Sequence, residues 1–144
     1  MRESAILLLF LAACGSEATN DDAARPIQTA TLTGLYRSAG EGRLCMIARG
    51  GETRFGLVAP GCSGAGIAVR RGDRLELAMA GEIACALDAR IDGGEIAFAS
   101  SPPGGCAYYC AAGATLGGLA FEKVGGTEAD ALGARDLVGD PLCG

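Results

Sequence analysis

The chain contains no histidine and no tryptophan, and lysine occurs only as Lys123. Lack of histidine removes the commonest general base, and with it the Ser-His-Asp and Cys-His nucleophile arrangements. A single lysine is a poor basis for a Ser-Lys dyad or Schiff-base chemistry. No Cys-x-x-Cys pair occurs, so the usual ligand spacing of zinc sites and the thioredoxin-type redox motif are both missing. The glycines form no Gly-x-x-x-x-Gly-Lys phosphate loop. Positive charge is scarce as well: 12 Lys and Arg stand against 17 Asp and Glu, a net −5 that gives no basic footprint for nucleic acid. These absences predict a protein without cofactor, metal or nucleic-acid partner, and one that is not an enzyme.

What is present begins with an address. Residues 1–14 read MRESAILLLFLAAC, with Arg2 as a minimal basic region and an apolar run over residues 5–13. That run is far short of the roughly 20 residues that span a bilayer, but it suits the core of an export signal. Its end, Leu11-Ala12-Ala13-Cys14, resembles the lipobox of bacterial lipoproteins. The resemblance covers only this leader. It implies cleavage between Ala13 and Cys14, diacylglyceryl transfer to the Cys14 thiol, and a lipid anchor on the new N-terminus. Each buried methylene contributes about 0.8 kcal/mol, and a stable anchor takes more than one chain, which diacylation supplies. Gly15 follows the cysteine where an Asp would favour inner-membrane retention, so the resemblance implies the outer membrane in a cell that has one. Residues 14–30 are polar and acidic without hydrophobic periodicity, and read as a flexible lipidated tether to a domain at 31–144.

Setting Cys14 aside leaves six cysteines: Cys45, Cys62, Cys85, Cys106, Cys110 and Cys143. An even number in a small exported domain predicts three structural disulfides rather than metal or redox use. The 24 glycines and the many alanines make for numerous turns and a thin core, where such staples help most. Sequence leaves 15 connectivities open. Cys45 with Cys62, on either side of a predicted hairpin, is the favoured pair, and Cys143 is expected to pin the C-terminal tail to Cys106 or Cys110.

Alternation of apolar and polar residues supplies the fold class. Ile83, Cys85, Leu87, Ala89 and Ile91 fall on one face, and Glu82, Asp88, Arg90 and Asp92 on the other. Period two argues for half-buried antiparallel strands. Strands are predicted over 31–37, 43–49, 53–59, 67–71, 74–79, 83–91, 95–99 and 119–124, separated by Gly-rich and Pro-Gly turns. This describes a mostly β domain, a small antiparallel barrel or sandwich. Residues 106–112 are expected to form a short helix or an irregular disulfide knot. Thr127 is expected to cap a C-terminal helix running to about 137, with Asp130 completing a capping box and Gly139 stopping it.

Few residues are candidates for function. Glu82, Asp88 and Asp92 read as a solvated strand face rather than a paired-carboxylate site. Arg71-Gly72-Asp73 reads as a strand turn, and Arg70, Arg71 and Arg74 as a rim diluted by flanking acids. Tyr108 and Tyr109, beside two cysteines, are the candidate contact surface, since tyrosine offers a large apolar area with a polar tip. The layout from Gly34-Leu35-Tyr36 through Cys45 to Cys62 is loosely similar to the lipid-anchored, cystine-stapled barrels that bacteria use as protease inhibitors. That likeness covers about a third of the chain, contains no specific motif and carries over no functional residue. The expectation is a non-catalytic envelope lipoprotein that binds or inhibits a macromolecular partner. The alternative is a structural or assembly component of the envelope without separable activity.

Overall fold

A computed structural model describes residues 31–144. Cys14, the lipobox and the 14–30 tether lie outside the described residues. Eight strands form a closed antiparallel barrel in which each pairs with its sequence neighbours and β8 closes onto β1. They are β1 (Gly34–Arg37), β2 (Arg43–Arg49), β3 (Glu52–Ala59), β4 (Cys62–Arg71), β5 (Arg74–Met79), β6 (Ala86–Asp92), β7 (Glu95–Phe98) and β8 (Ala120–Gly125). Of the two predicted architectures the barrel is the one observed. Closure leaves no exposed strand edge, which in a short-stranded sheet would invite pairing with other chains.

The strand pattern follows the alternation. In β5 every second residue is buried, so Leu75, Leu77 and Met79 point inward while Arg74, Glu76 and Ala78 face solvent. Leu44 and Met46 of β2, Phe55 and Leu57 of β3, Leu87, Ile96 and Phe121 join them. An eight-stranded barrel is just wide enough for its side chains to fill it, and each fully buried Leu or Phe contributes about 1.5–3 kcal/mol.

β2 departs from simple alternation. Leu44, Cys45, Met46 and Ile47 are all buried, because the outer face of this strand is covered too. The cover is a C-terminal strap made of helix α1 (Glu128–Leu132) and the tail beyond it. Ala131, Ala134 and Cys143 pack on Cys45 and Ile47, with Leu35 and Leu142 at the margins. Gly56 of β3 permits the contact, since a Cβ there would collide with the Leu142 carbonyl oxygen. The expected capping box is present: the Asp130 N–H donates to Thr127 Oγ1 at 3.0 Å, and the Thr127 N–H donates to Asp130 Oδ2 at 3.0 Å. The helix is shorter than the predicted 127–137, ending at Gly133, and Gly139 instead makes a later turn with φ of 93°.

Disulfide connectivity corrects the expectation. Cys45 bonds Cys143, Cys62 bonds Cys110, and Cys85 bonds Cys106. The favoured Cys45–Cys62 pair fails because the two thiols point to opposite sides of the barrel wall: Cys62 lies in the interior cluster and Cys45 under the strap. For the same reason Cys143 meets Cys45, not Cys106 or Cys110. Two further differences are local. β4 begins at Cys62 rather than 67, because the Gly- and Ala-rich stretch before Ile67 has a weak strand signature but is paired with β3 throughout. β6 begins only at Ala86, because a bonded turn from Met79 N to Cys85 O leaves Ile83 on its tip, off the strand face.

Candidate functional site

With neighbours antiparallel all round, successive connections alternate between the two ends of the barrel. One end carries the β2–β3, β4–β5 and β6–β7 hairpins and the entry of the chain into β1. The other carries the β1–β2 and β3–β4 turns, the β5–β6 connection, and the long β7–β8 connection over residues 99–119.

The hairpin end is closed from inside. Residues 31–33 cross the mouth: the Tyr36 hydroxyl donates to Leu32 O at 2.8 Å, and Lys123 Nζ donates to Thr31 O at 2.8 Å. Lys123 also lies 5.3 Å from the centre of the Tyr36 ring, a cation–π distance. Burial pushes the Tyr36 phenol up to about 12, with Arg70 pulling weakly the other way. Burial, and then the nearby Arg70, hold the Lys123 ammonium below its ordinary range. Both groups are occupied in sealing the mouth, which makes them structural. Arg71-Gly72-Asp73 forms the β4–β5 turn as expected, with Gly72 at φ 66° and Asp73 paired to Arg90 at 3.3 Å.

The opposite end is built differently. Residues 99–119 fold over the barrel opening as a short 3-10 helix (Gly104–Tyr109) flanked by loops, which settles the expectation for 106–112 in favour of a disulfide knot entered through a short helix. Cys106 ties this plug to Cys85 in the β5–β6 connection, and Cys110 ties it to Cys62 at the start of β4. The Leu116 and Cys106 side chains are buried in the core cluster, so the opening is filled from the plug side.

The two candidate tyrosines play different parts. Tyr109 is half-buried beside the core; its hydroxyl donates to Ile83 O at 2.7 Å, and a Cβ on Gly81 would collide with the Tyr109 hydroxyl itself. Tyr108 is 65% exposed and meets the Tyr109 ring edge-on at 5.3 Å between centroids. Ile83, 41% exposed, stands over the Tyr109 anchor. Alongside runs a cleft of about 250 Å³, lined by Pro102, Pro103, Gly104, Ala114, Thr115 and Leu116 among others. All of these groups are neutral. No charged residue occurs between positions 96 and 121, nor between 55 and 69, and the β5–β6 and β1–β2 connections add only Glu82 and Glu41. Neither Ile83 nor the Pro102–Pro103 cleft was singled out from sequence, although the long uncharged stretch was there to be read.

Of the carboxylates, Asp88 and Asp92 lie on the exposed face of β6 as expected, and Glu82 is exposed in the β5–β6 turn. Among the described residues no group of three or more His, Cys, Asp or Glu side chains is placed to hold a metal ion, and no helix is long and apolar enough to cross a membrane. No family model matches the chain, and no curated protein or solved structure is significantly similar to it.

Proposed function

We propose that this chain is a non-catalytic, lipid-anchored envelope protein whose domain binds or inhibits a macromolecular partner through its stapled end. The observation that supports this most is the nature of the connection that closes that end: residues 99–119 carry no charge, present an exposed aromatic, and are held by two disulfides over a filled barrel. A filled interior directs recognition to the outside. Contact surfaces that bind well combine aromatic anchors with little conformational freedom left to lose, and two covalent ties remove that freedom in advance. With neutral groups at its centre, such a surface suits a protein partner whose contact patch is itself uncharged, since unpaired charges there would be desolvated at a cost. Three disulfides agree with an oxidising compartment, and the Leu11-Ala12-Ala13-Cys14 leader supplies the reason to place that compartment in a bacterial envelope, with Cys14 as the lipid attachment.

Intact mass of the protein purified from its native membrane, reduced and non-reduced, tests the address and the staples together. The expected species begins at diacylated Cys14 and gains six protons on reduction; an unlipidated chain overturns the anchor. The contact surface is tested by a photocrosslinking residue placed at Tyr108 and, as a control, at Arg71 on the hairpin end. A discrete protein adduct at 108 and none at 71 is expected. Adducts at neither position, or equally at both, overturn the assignment of the stapled end.

A further inference from the structure

Leu137 and Val138 are the two most exposed large hydrophobic side chains among the described residues, at 70% and 82%. They are not frayed. The loop that carries them closes on itself through an Asp136 N–H bond to Asp140 O at 2.9 Å and a Gly139 N–H bond to Asp136 O at 3.3 Å. The Asp136 carboxylate accepts from the backbone N–H groups of Val138 and Asp140, each at 2.9 Å, so its side chain is turned into the loop. Below it the stem is fixed by a bridge between Arg135 and Pro141 and by the Leu142 N–H to Ala134 O at 3.0 Å. The outcome is a bonded loop that holds two apolar side chains out in water, where they contribute little to the fold.

Three arginines lie on one side of this tip. Arg37 and Arg43, facing partners in the β1–β2 register, line a shallow basin of about 550 Å³ together with Arg135, Leu35 and the loop itself. Arg43 also donates to Arg135 O at 3.0 Å, which seats the loop against the barrel. The nearby acids are Asp136, already bonded to two backbone N–H groups, and Asp140, with Glu41 in the β1–β2 turn and Glu122 across from Arg37 in β8. In the eight-stranded ring β1 and β2 lie opposite β5 and β6, so this feature sits across the barrel from Tyr109 and Ile83.

We propose that the Leu137-Val138 tip is a second, protein-borne membrane contact, which inserts into the headgroup boundary of an anionic bilayer while Arg37, Arg43 and Arg135 meet lipid phosphates. An apolar tip flanked by cations is the pattern that interfacial segments use, combining burial of apolar area with attraction to anionic headgroups. Arginine suits the second task because its planar fork binds phosphate oxygens in pairs. The inference rests on the lipoprotein reading for its setting, since a domain tethered at Cys14 is held next to lipid. Sixteen residues, 15–30, separate that cysteine from Thr31, and at most about 3.5 Å per residue they could span on the order of 55 Å, enough for the flank of the barrel to reach the surface. With the flank on the membrane, Tyr108 and Ile83 would be left on the far side.

The test uses the mature chain from residue 14 with Cys14→Ser, so that no lipid is attached, and vesicles of phosphatidylcholine with or without about 30% phosphatidylglycerol. The chain is expected to float with the anionic vesicles, to bind the neutral ones more weakly, and to release as salt is raised. The double variant Leu137→Asp/Val138→Asp, whose positions are too exposed to matter for folding, is expected to lose about tenfold or more of this binding with an unchanged circular dichroism spectrum. A parent chain that ignores anionic vesicles, or a double variant that binds as well as the parent, overturns the proposal. Because the assay omits the lipid, its failure is separate from a failure of the Cys14 anchor, which intact mass reports.

Discussion

The two ends of the barrel solve the same problem by different means. At the hairpin end, tight turns such as Gly50-Gly51 and Gly93 keep the strands paired to their tips, and exposed ion pairs decorate them: Arg54–Glu52 at 3.2 Å and Arg90–Asp73 at 3.3 Å. Such pairs are worth about 0–1 kcal/mol each, so the backbone ladder carries the order there. At the stapled end the β3–β4 hairpin is paired to its tip as well, Ala59 with Cys62, but the β7–β8 connection has no such ladder. Between β7 and β8 more than twenty residues cross the opening with one short 3-10 helix and no strand, and no ion pair involves them. Two disulfides add to the scattered backbone bonds of that connection, such as Ala111 N–H to Gly61 O at 2.6 Å and Gly118 N–H to Ala99 O at 3.1 Å. Covalent ties give rigidity without charge, and a rigid neutral surface is what the hairpin end cannot offer. That difference is why we assign contact to one end and closure to the other.

The largest effects are expected from breaking the staples, and their order separates global from local roles. Chain entropy scales with the logarithm of the closed loop, so Cys45–Cys143, 98 residues apart, stabilises most, by about 4.7 kcal/mol. Cys62–Cys110 spans 48 and is expected to contribute about 4 kcal/mol, and Cys85–Cys106 spans 21 and about 3 kcal/mol. Denaturant melts of the three paired Cys→Ala variants check the order. Hydrogen exchange sharpens it: losing Cys85–Cys106 should raise exchange over 99–119 well before the barrel strands, whereas losing Cys45–Cys143 should free the strap. Uniform loosening in both variants would break the division between the two ends.

Pairing is also where the sequence was least informative. Alternation over residues 83–91 placed Cys85, Leu87 and Ala89 inward correctly, because a period of two is a property of any strand with one wet face. The pairing of Cys45 depends on which side of the wall its thiol takes, and that depends on the strap, 98 residues away. The signature of the strap was the run Leu44-Cys45-Met46-Ile47, apolar at every position, which fits a strand covered on both faces. Tyr108 and Tyr109 could be named as a contact candidate from their place beside two cysteines, but which of them is the anchor and which the exposed ring depends on the Ile83 carbonyl and on the bare Cα of Gly81, both brought there by the β5–β6 turn.

A smaller effect tests whether the strap is energetically separate from the plug. Gly56→Ala would push the Leu142 carbonyl off β3, an overpacking expected to cost about 1–3 kcal/mol. Because Gly56 touches the strap and not the plug, exchange over 99–119 should be unaffected at a denaturant level that loosens 140–144. Coupled loosening of both segments would show that strap and plug act as a unit.

At the start of the strap the expected change is smaller still. Thr127→Ala removes the helix cap and should cost about 1 kcal/mol. The same motif predicts a pH dependence. Hydrogen bonds from the Thr127 side chain and backbone hold the Asp130 carboxyl below its ordinary value of 3.8. A carboxyl with a depressed folded-state pKa stabilises fully above its unfolded value and loses that contribution as pH falls through the folded one. The gap in stability between the parent and Thr127→Ala should therefore be constant near neutrality and narrow below about pH 4; a gap that widens in acid would contradict the capping geometry.

The smallest effect on stability is expected where the effect on binding should be greatest. Tyr108→Ala removes a ring that is 65% exposed, and exposed substitutions away from caps and strained turns usually stay within about 0.5 kcal/mol. Tyr109→Phe keeps the ring and deletes the bond to Ile83 O, at about 1 kcal/mol. If the stapled end is a contact surface, the two variants part company: Tyr108→Ala melts like the parent and abolishes the crosslink made from a neighbouring position such as Ala107, while Tyr109→Phe melts earlier and keeps it. The reverse result, with Tyr108 needed for folding and indifferent to the crosslink, would make the plug only a stopper for the barrel, and the two ends would differ in construction without differing in purpose.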